Sequence, residues 1–198
     1  MFWKIITNEL KISGQNINKI ISSFLFFVIF IFISQILSKN NQNTIDPDIL
    51  FWLATISVIV FSSADFLKSD YDSGMLEQMI LACYNFEIFI FAKIIANWLN
   101  YSLPIIIISC LINFDYSFII IAILTTFTIN AVCCFCGSFS LLGNSSPLIA
   151  FIALPFIIPS IIIAKNNIES WTILLPLALL SFFILSFFIA KIVQIIID

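Results

Sequence analysis

The sequence predicts an all-α polytopic membrane protein, because apolar residues dominate the composition and recur in long windows between short polar connections. Hydrophobic residues make up 62% and charged residues 10% of the 198 positions, which is typical of a chain that lies mostly in lipid. A hydrocarbon core of about 30 Å needs about 20 helical residues. The windows that meet this requirement are residues 20–37, 49–66, 86–112, 117–143, 147–164 and 171–191. We therefore expect a single transmembrane domain of six helices over residues 1–198.

An amphipathic helix is expected before the first window, over residues 1–18. Its polar positions are Lys4, Asn8, Lys11 and Gln15, and its apolar positions are Phe2, Trp3, Ile6 and Leu10. Such a helix lies in the membrane interface. A cleaved signal peptide is disfavoured because the following apolar run is too long and has no small-residue cleavage site after it. A disordered charged tail is the remaining alternative.

The lysines favour an orientation with both termini in the cytoplasm. With the amino terminus inside, the cytoplasmic lysines are Lys4, Lys11, Lys19, Lys68 and Lys191. Lys39 and Lys165 then lie outside, which agrees with the positive-inside rule. Trp52 and Trp171 are predicted near the outer membrane edge, where aromatic belts form.

The sequence contains neither arginine nor histidine, and its formal charge is −3. These facts argue against nucleic acid as a partner and against a histidine ligand for haem. The cysteines lie in or beside apolar runs, so a disulfide framework is not expected. They are Cys83, Cys110, Cys133, Cys134 and Cys136. Metal or redox chemistry at the last three is disfavoured, because neighbouring helical positions point about 100° apart.

Polar residues recur on one face of the third window. They are Lys93, Asn97, Asn100, Tyr101 and Pro104. Polar groups in lipid face protein, so we expect this face to line a groove or a helix contact, with Trp98 beside it. Lys93 lies near the inner end, where it either snorkels to the surface or pairs with Glu87 or Asp65. A substrate contact is the weaker alternative.

Small and polar residues form a stripe on the fourth window, and prolines interrupt the fifth. The stripe comprises Thr126, Asn130, Cys133, Gly137 and Ser140, a pattern that favours close helix packing. Pro155 and Pro159 each remove a helix hydrogen bond, which predicts a kink or a broken functional helix.

Residues 70–83 are the one charged, helix-capable segment between long apolar runs, and they are predicted to form a short cytoplasmic helix. Asp70, Asp72 and Ser73 offer capping oxygens, and Glu77 favours the positive end of the helix dipole. An apolar stripe follows at Met75, Leu76, Met79, Ile80 and Cys83. Such a helix either rests on the membrane or enters a groove on a cytosolic partner.

The loop Asp72-x-Gly74-x-Leu76-Glu77-Gln78, together with the six windows and the amino-terminal helix, resembles the permeases of ABC-2-type exporters. The closer resemblance is to the CcmB family, haem exporter protein B of cytochrome c maturation. Further residues that carry it are Met1–Lys4, Glu9–Leu10, Phe66–Asp70, Ala92–Lys93, Trp98, Leu103–Pro104, Leu154–Pro155 and Ile158–Pro159. The chain departs from the family pattern at Ala82-Cys-Tyr-Asn-Phe86, where the family tends to have small residues and prolines.

The resemblance implies a non-enzymatic permease subunit in a bacterial or mitochondrial inner membrane. It implies a separate CcmA-type ATPase that binds ATP, with CcmC-, CcmD- and CcmE-type proteins handling haem. Asp70, Asp72, Gly74, Leu76, Glu77 and Gln78 would then couple to the ATPase. This chain lacks a phosphate-binding glycine loop, so ATP chemistry must come from elsewhere. An exporter cavity further implies two permease copies.

Two other functions remain open from the sequence. One is an ABC-2 exporter permease for a lipid or another amphiphile. The other is a membrane thiol oxidoreductase that uses Cys133, Cys134 and Cys136.

Overall fold

The computed structural model describes residues 2–15, 21, 24–25, 27–33, 36, 47–64, 66–82, 85–112, 116–142, 146–166 and 170–197. Its helices are α1 (Phe2–Gln15), α2 (Pro47–Ala64), α3 (Lys68–Asp72), α4 (Met75–Ala82), α5 (Phe86–Ile112), α6 (Tyr116–Ser138), α7 (Ser146–Asn166) and α8 (Trp171–Ile197). A 3-10 turn, Phe139–Leu142, extends α6. These described residues contain no strand, so the all-α prediction is confirmed for them.

The long apolar helices match the predicted windows. Within the described part of the chain, four segments are long and apolar enough to cross a membrane: Phe51–Asp72, Phe86–Ile108, Tyr116–Leu141 and Trp171–Ile197. Phe151–Lys165 is apolar but shorter. The first window is described only in part: residues 27–33 are helical, and Phe27 packs against α2. The count of six spans therefore stays a prediction.

Helix α6 lies at the centre of the bundle, where it packs against α2, α5, α7 and α8. Most of its residues from Ile121 to Ser138 are buried. This central position explains why α6 carries small and neutral polar side chains rather than charges, since each of its faces meets another helix.

Gly137 sets the distance between α6 and α2. A Cβ atom at this position would collide with the backbone carbonyl oxygen of Ser63. One turn further on, Ser140 donates a hydrogen bond of 3.3 Å to the carbonyl of Ala64. The predicted small-residue stripe therefore contains a true point of close backbone approach.

Two expectations about the spans are wrong. Trp52 is only 3% exposed and packs with Ile121 and Leu174, so it faces the bundle rather than an aromatic belt. Helix α7 continues through both of its prolines, Pro155 and Pro159, so the broken-helix alternative fails. Both prolines lie exposed on the outer surface of the chain.

We expect Gly137→Ala to lower the thermal stability of the detergent-purified protein, because the added methyl group must separate α6 from α2. Overpacking of this kind costs about 1–3 kcal/mol. The comparison variant is Gly74→Ala, since Gly74 has open space around its Cβ position but a φ of 69°. It should cost about 1 kcal/mol through backbone strain alone. Equal stability of wild type and Gly137→Ala would show that the two helices are not in close contact.

Candidate functional site

The segment between α2 and α5 forms two short helices rather than the single helix predicted over residues 70–83. Helix α3 ends at Asp72, and Gly74 then adopts a φ of 69° before α4 begins. The N–H of Gly74 donates to the carbonyl of Tyr71 at 3.0 Å, which completes the turn. A positive φ after a helix end is the conformation that favours glycine. The Ser73-Gly74 pair was therefore a stop signal inside the predicted helix.

The capping roles predicted for this segment are also different in the structure. The N-cap position of α3 is Leu67, which makes no side-chain cap, and Asp70 lies inside the first turn. Asp72 is exposed at the end of α3. Cys83, the last member of the predicted apolar stripe, lies outside the described residues.

The apolar stripe of α4 packs on the chain itself. Leu76 is fully buried, in a cluster that includes Leu67, Phe86 and Phe89. Met79 and Ile80 are partly buried against the same cluster. The side chain of Leu76 is therefore covered by the chain itself in this structure, and its predicted contact with a partner stays a prediction.

The opposite face of these two helices points away from the protein. We call it the outer face, and its exposed residues are Tyr71, Asp72, Glu77, Gln78 and Leu81. Leu81 is 89% exposed, an unusual state for a leucine on a polar face. The sequence reasoning missed it, although Leu81 follows Glu77 by four residues and so shares its side of the helix.

Lys93 forms a buried charge cluster with Glu9 and Asp70. The Lys93 ammonium pairs with the Asp70 carboxylate and lies 3.6 Å from the carboxylate of Glu9. All three side chains are nearly enclosed, with exposures of 7%, 13% and 11% for Lys93, Asp70 and Glu9. We call this arrangement the Lys93 cluster; it joins α1, α3 and α5.

The partners predicted for Lys93 are therefore wrong where the structure describes them. Glu87 lies six positions before Lys93, on a different side of α5, and the described carboxylates paired with Lys93 come from α1 and α3. Asp65 lies outside the described residues. Lys93 does not snorkel to the surface, because it is only 6% exposed.

Glu9 is the member of the cluster whose ionised form is disfavoured by burial. Burial raises its pKa above the ordinary value, while Lys93 opposes that rise and Asp70 adds to it. The single ammonium pairs more closely with Asp70 than with Glu9. Two carboxylates therefore share one cation, and Glu9 is the less favoured of the two.

Next to the cluster, α5 and α6 are joined by side-chain hydrogen bonds. Asn97 donates to the Asn130 side-chain oxygen at 2.8 Å, and Asn130 donates to the carbonyl of Ile94 at 3.2 Å. Trp98 donates its indole N–H to Thr126 at 3.2 Å. These hydrogen bonds join the two helices along a line of contact that we call the α5–α6 seam.

The structure does not bring the other predicted groove residues into this contact. Tyr101 and Pro104 are partly buried further along α5. Pro155 and Pro159 lie on the exposed surface of α7. The residues predicted to line one groove thus lie in separate places: at the contact between α5 and α6, further along α5, and on the exposed surface of α7.

The cysteines of α6 do not form a metal site among the described residues. Cys133 and Cys134 have no exposed surface, and Asn97 donates to the Cys134 sulfur at 3.5 Å. Thiol exchange requires access to the sulfur. This arrangement favours a packing role for these cysteines.

Comparison with known proteins identifies the family to which this chain belongs. The model of the CcmB protein family matches residues 1–196. The chain belongs to the CcmB family. It is 23% identical over 182 residues to the Heme exporter protein B of Haemophilus influenzae, a match that covers 86% of this chain and 82% of that protein.

Other relatives with the same name match a shorter stretch. The chain is 27% identical over 117 residues to the protein of Escherichia coli K12 and 23% identical over 112 residues to that of Pseudomonas aeruginosa. Each of these matches covers 55% of this chain and 50% of the relative. The chain thus spans about half the length of these two relatives.

We expect Lys93→Met to destabilise the protein strongly, because it leaves two buried carboxylates without a cation. Breaking a buried pair by removing one partner costs about 3–5 kcal/mol. Adding Glu9→Gln and Asp70→Asn to Lys93→Met should restore most of the loss. The control is Lys191→Met, which removes an exposed lysine. Thermal unfolding in detergent measures the stability of wild type, Lys93→Met, the triple variant and the control. A Lys93→Met protein as stable as the control would show that the buried ion pairs of the Lys93 cluster do not form.

Glu9→Gln should behave differently from the other changes in the cluster. Because the pKa of Glu9 is raised on folding, the folded state holds the Glu9 proton more tightly than the unfolded state does. This stabilisation is present below the unfolded pKa and is lost as the pH rises through the folded pKa. At neutral pH, Glu9→Gln should be at least as stable as wild type, and its melting temperature should depend less on pH. A marked loss of stability at neutral pH would mean that Glu9 is a favourable partner of Lys93.

Proposed function

We propose that this chain is the permease subunit of an ABC-type complex for haem export or delivery in c-type cytochrome biogenesis. The observation that carries the proposal is the family match over residues 1–196. The name that the relatives bear, Heme exporter protein B, supports haem as the handled species. The chain itself acts as a transport subunit rather than an enzyme.

The coupling proposal assigns the outer face to contact with a separate, CcmA-type ATPase. Helices α3 and α4 connect two long apolar helices, and their outer face carries Tyr71 and Leu81 as large exposed side chains. Asp72, Glu77 and Gln78 surround them with polar groups, as at the rim of a small interface. Gly74 shapes the turn between the two helices and so sets the angle of this surface.

The Lys93 cluster supplies a route for movement from this surface into the bundle. Asp70 lies on α3, and its ion pair with Lys93 holds α3 against α5. When ATP binding or hydrolysis moves the outer face, α5 must move with it or the buried pair must separate. The α5–α6 seam then carries the movement to the central helix.

The wider complex follows the same proposal. Two permease copies would form the pathway, with CcmC-, CcmD- and CcmE-type proteins as partners, in an inner membrane and with both termini cytoplasmic. ATP hydrolysis would drive release of the haem-loaded chaperone. Tags at the two ends of the chain that report opposite sides of the membrane would overturn the topology.

A gene deletion with plasmid complementation distinguishes haem delivery from general amphiphile export. We expect the deletion strain to lose c-type cytochromes, measured by haem staining and pyridine haemochrome spectra of membranes, while b-type haem stays normal. Lipid composition of the membrane should also be unchanged. Normal c-type cytochromes in the deletion strain would overturn the haem assignment and favour the alternative exporter.

We expect Leu81→Asp to weaken binding of the ATPase without lowering the amount of permease, because Leu81 is exposed and contributes nothing to the core. Loss of a central interface residue costs about 1–4 kcal/mol, or about tenfold in affinity for each 1.4 kcal/mol. Glu77→Ala should leave the ATPase bound and reduce the coupling of hydrolysis to chaperone release. Co-purification and ATPase assays measure the two effects.

Two further variants separate docking from folding. Asn85→Asp adds the same charge at an exposed position off the outer face and should not change ATPase binding. Leu76→Ala should reduce the permease level, because truncating a buried leucine costs about 2–5 kcal/mol. Full retention of the ATPase by Leu81→Asp would show that the outer face does not dock it.

A further inference from the structure

An open groove lies between the amino-terminal helix and α4. Its volume is about 390 Å³, and it reaches the first turn of α5. We call it the amino-terminal groove. Its lining residues are Lys4, Ile5, Thr7, Asn8, Glu9, Lys11, Met75, Met79 and Phe89. This volume is within the range of about 300–1,000 Å³ that small-molecule sites occupy.

The two sides of the groove differ in chemistry. One side of α1 contributes Lys4, Thr7, Asn8 and Lys11, which recur at helical spacing and are all exposed. The rest of the lining is apolar and consists of Ile5 of α1, Met75 and Met79 of α4, and the buried Phe89 of α5. An occupant that satisfies both sides must be amphiphilic.

The charge of the groove favours an anionic head group. Neither Lys4 nor Lys11 forms an ion pair with the described residues. Glu9, the carboxylate that lines the groove, lies 3.6 Å from the Lys93 ammonium. Two unpaired ammonium groups therefore remain for a ligand.

The surroundings of α1 point to a lipid as the source of this amphiphile. Helix α1 packs against α5 through Ile6 and Glu9, which are buried. Phe2 and Trp3 remain exposed, and Trp3 has 73% of its surface free. Exposed aromatic residues on a basic amphipathic helix are typical of contact with the membrane interface. A free anion from the cytosol would gain nothing from the methionine and phenylalanine surface.

We propose that the amino-terminal groove binds one acidic phospholipid of the adjacent leaflet. The phosphate lies between Lys4 and Lys11, with Thr7 and Asn8 as neutral hydrogen-bonding groups, and the first acyl methylenes contact Met75 and Met79. Because these methionines belong to α4, the lipid links α1 to the helix that carries the outer face. This site is independent of the haem assignment.

Native mass spectrometry of the full-length protein tests the site, using mixed micelles with equal amounts of phosphatidylglycerol and phosphatidylcholine. Wild type should retain one phosphatidylglycerol molecule in preference to phosphatidylcholine. Lys4→Gln and Lys11→Gln should each weaken this retention about fivefold, the effect of one lysine at an acidic membrane surface. Lys191→Gln is the matched control, since it removes an exposed lysine outside the groove, and should leave retention unchanged.

A second variant tests whether the lipid occupies the groove itself, rather than only being attracted by the two lysines. Asn8→Trp fills the groove from an exposed position and keeps both lysines, so it should abolish retention while the thermal stability stays that of wild type. Excess glycerol 3-phosphate should fail to displace the lipid, because it lacks acyl chains.

Four results would each overturn the proposal. They are equal retention of the two lipids by wild type, a loss with Lys191→Gln as large as with Lys4→Gln, unchanged retention with Asn8→Trp, and displacement by glycerol 3-phosphate.

Discussion

The burial of the Lys93 ammonium is the constraint on which the end of the bundle formed by α1, α3 and the start of α5 depends. An ion taken out of water costs several kcal/mol unless a partner of opposite charge accompanies it, typically about 3–5 kcal/mol when that partner is removed. Lys93 lies about two turns inside α5 and is only 6% exposed, so its partners must be brought to it. Glu9 and Asp70 come from two helices outside the apolar bundle. The position of α3 on the bundle is thus set by one side chain of α5, and the same side chain lies near Glu9 of α1.

The seam between α5 and α6 continues this arrangement into the bundle. Asn130 accepts from Asn97 and donates to the backbone carbonyl of Ile94, the residue after Lys93. A rotation of α5 about its axis would therefore disturb both the ion pair and the amide contacts. Gly137, two turns along α6, lets α2 approach closely enough for Ser140 to bond the carbonyl of Ala64. Helices α2 and α5, which flank the outer face, are in this way both fixed to α6.

The sequence predicts the helices better than it predicts which way they face. Continuous apolar windows of about 20 residues indicate helices in lipid, because a helix satisfies all of its backbone hydrogen bonds within one segment, and α5, α6 and α8 follow from that rule. The side of α4 that packs inward does not follow, because Leu76 and Leu81 are equally apolar in the sequence. Only the approach of α1 and α5 decides that Leu76 is covered and Leu81 exposed. The partners of Lys93 lie 23 and 84 positions away in the sequence, so no local pattern could identify them.

The two carboxylates of the Lys93 cluster do not hold their helices equally. With two carboxylates and one ammonium, the ion pair to Asp70 is satisfied first, and burial raises the pKa of Glu9. Helix α1 is consequently held less by Glu9 than by its apolar packing against α5. Lys4 and Lys11, which line the amino-terminal groove, form no ion pair with the described residues. A phospholipid in the amino-terminal groove would supply a negative charge for these two lysines and would contact α4 as well. The membrane itself would then be part of the connection between the amino-terminal helix and the surface that we assign to the ATPase.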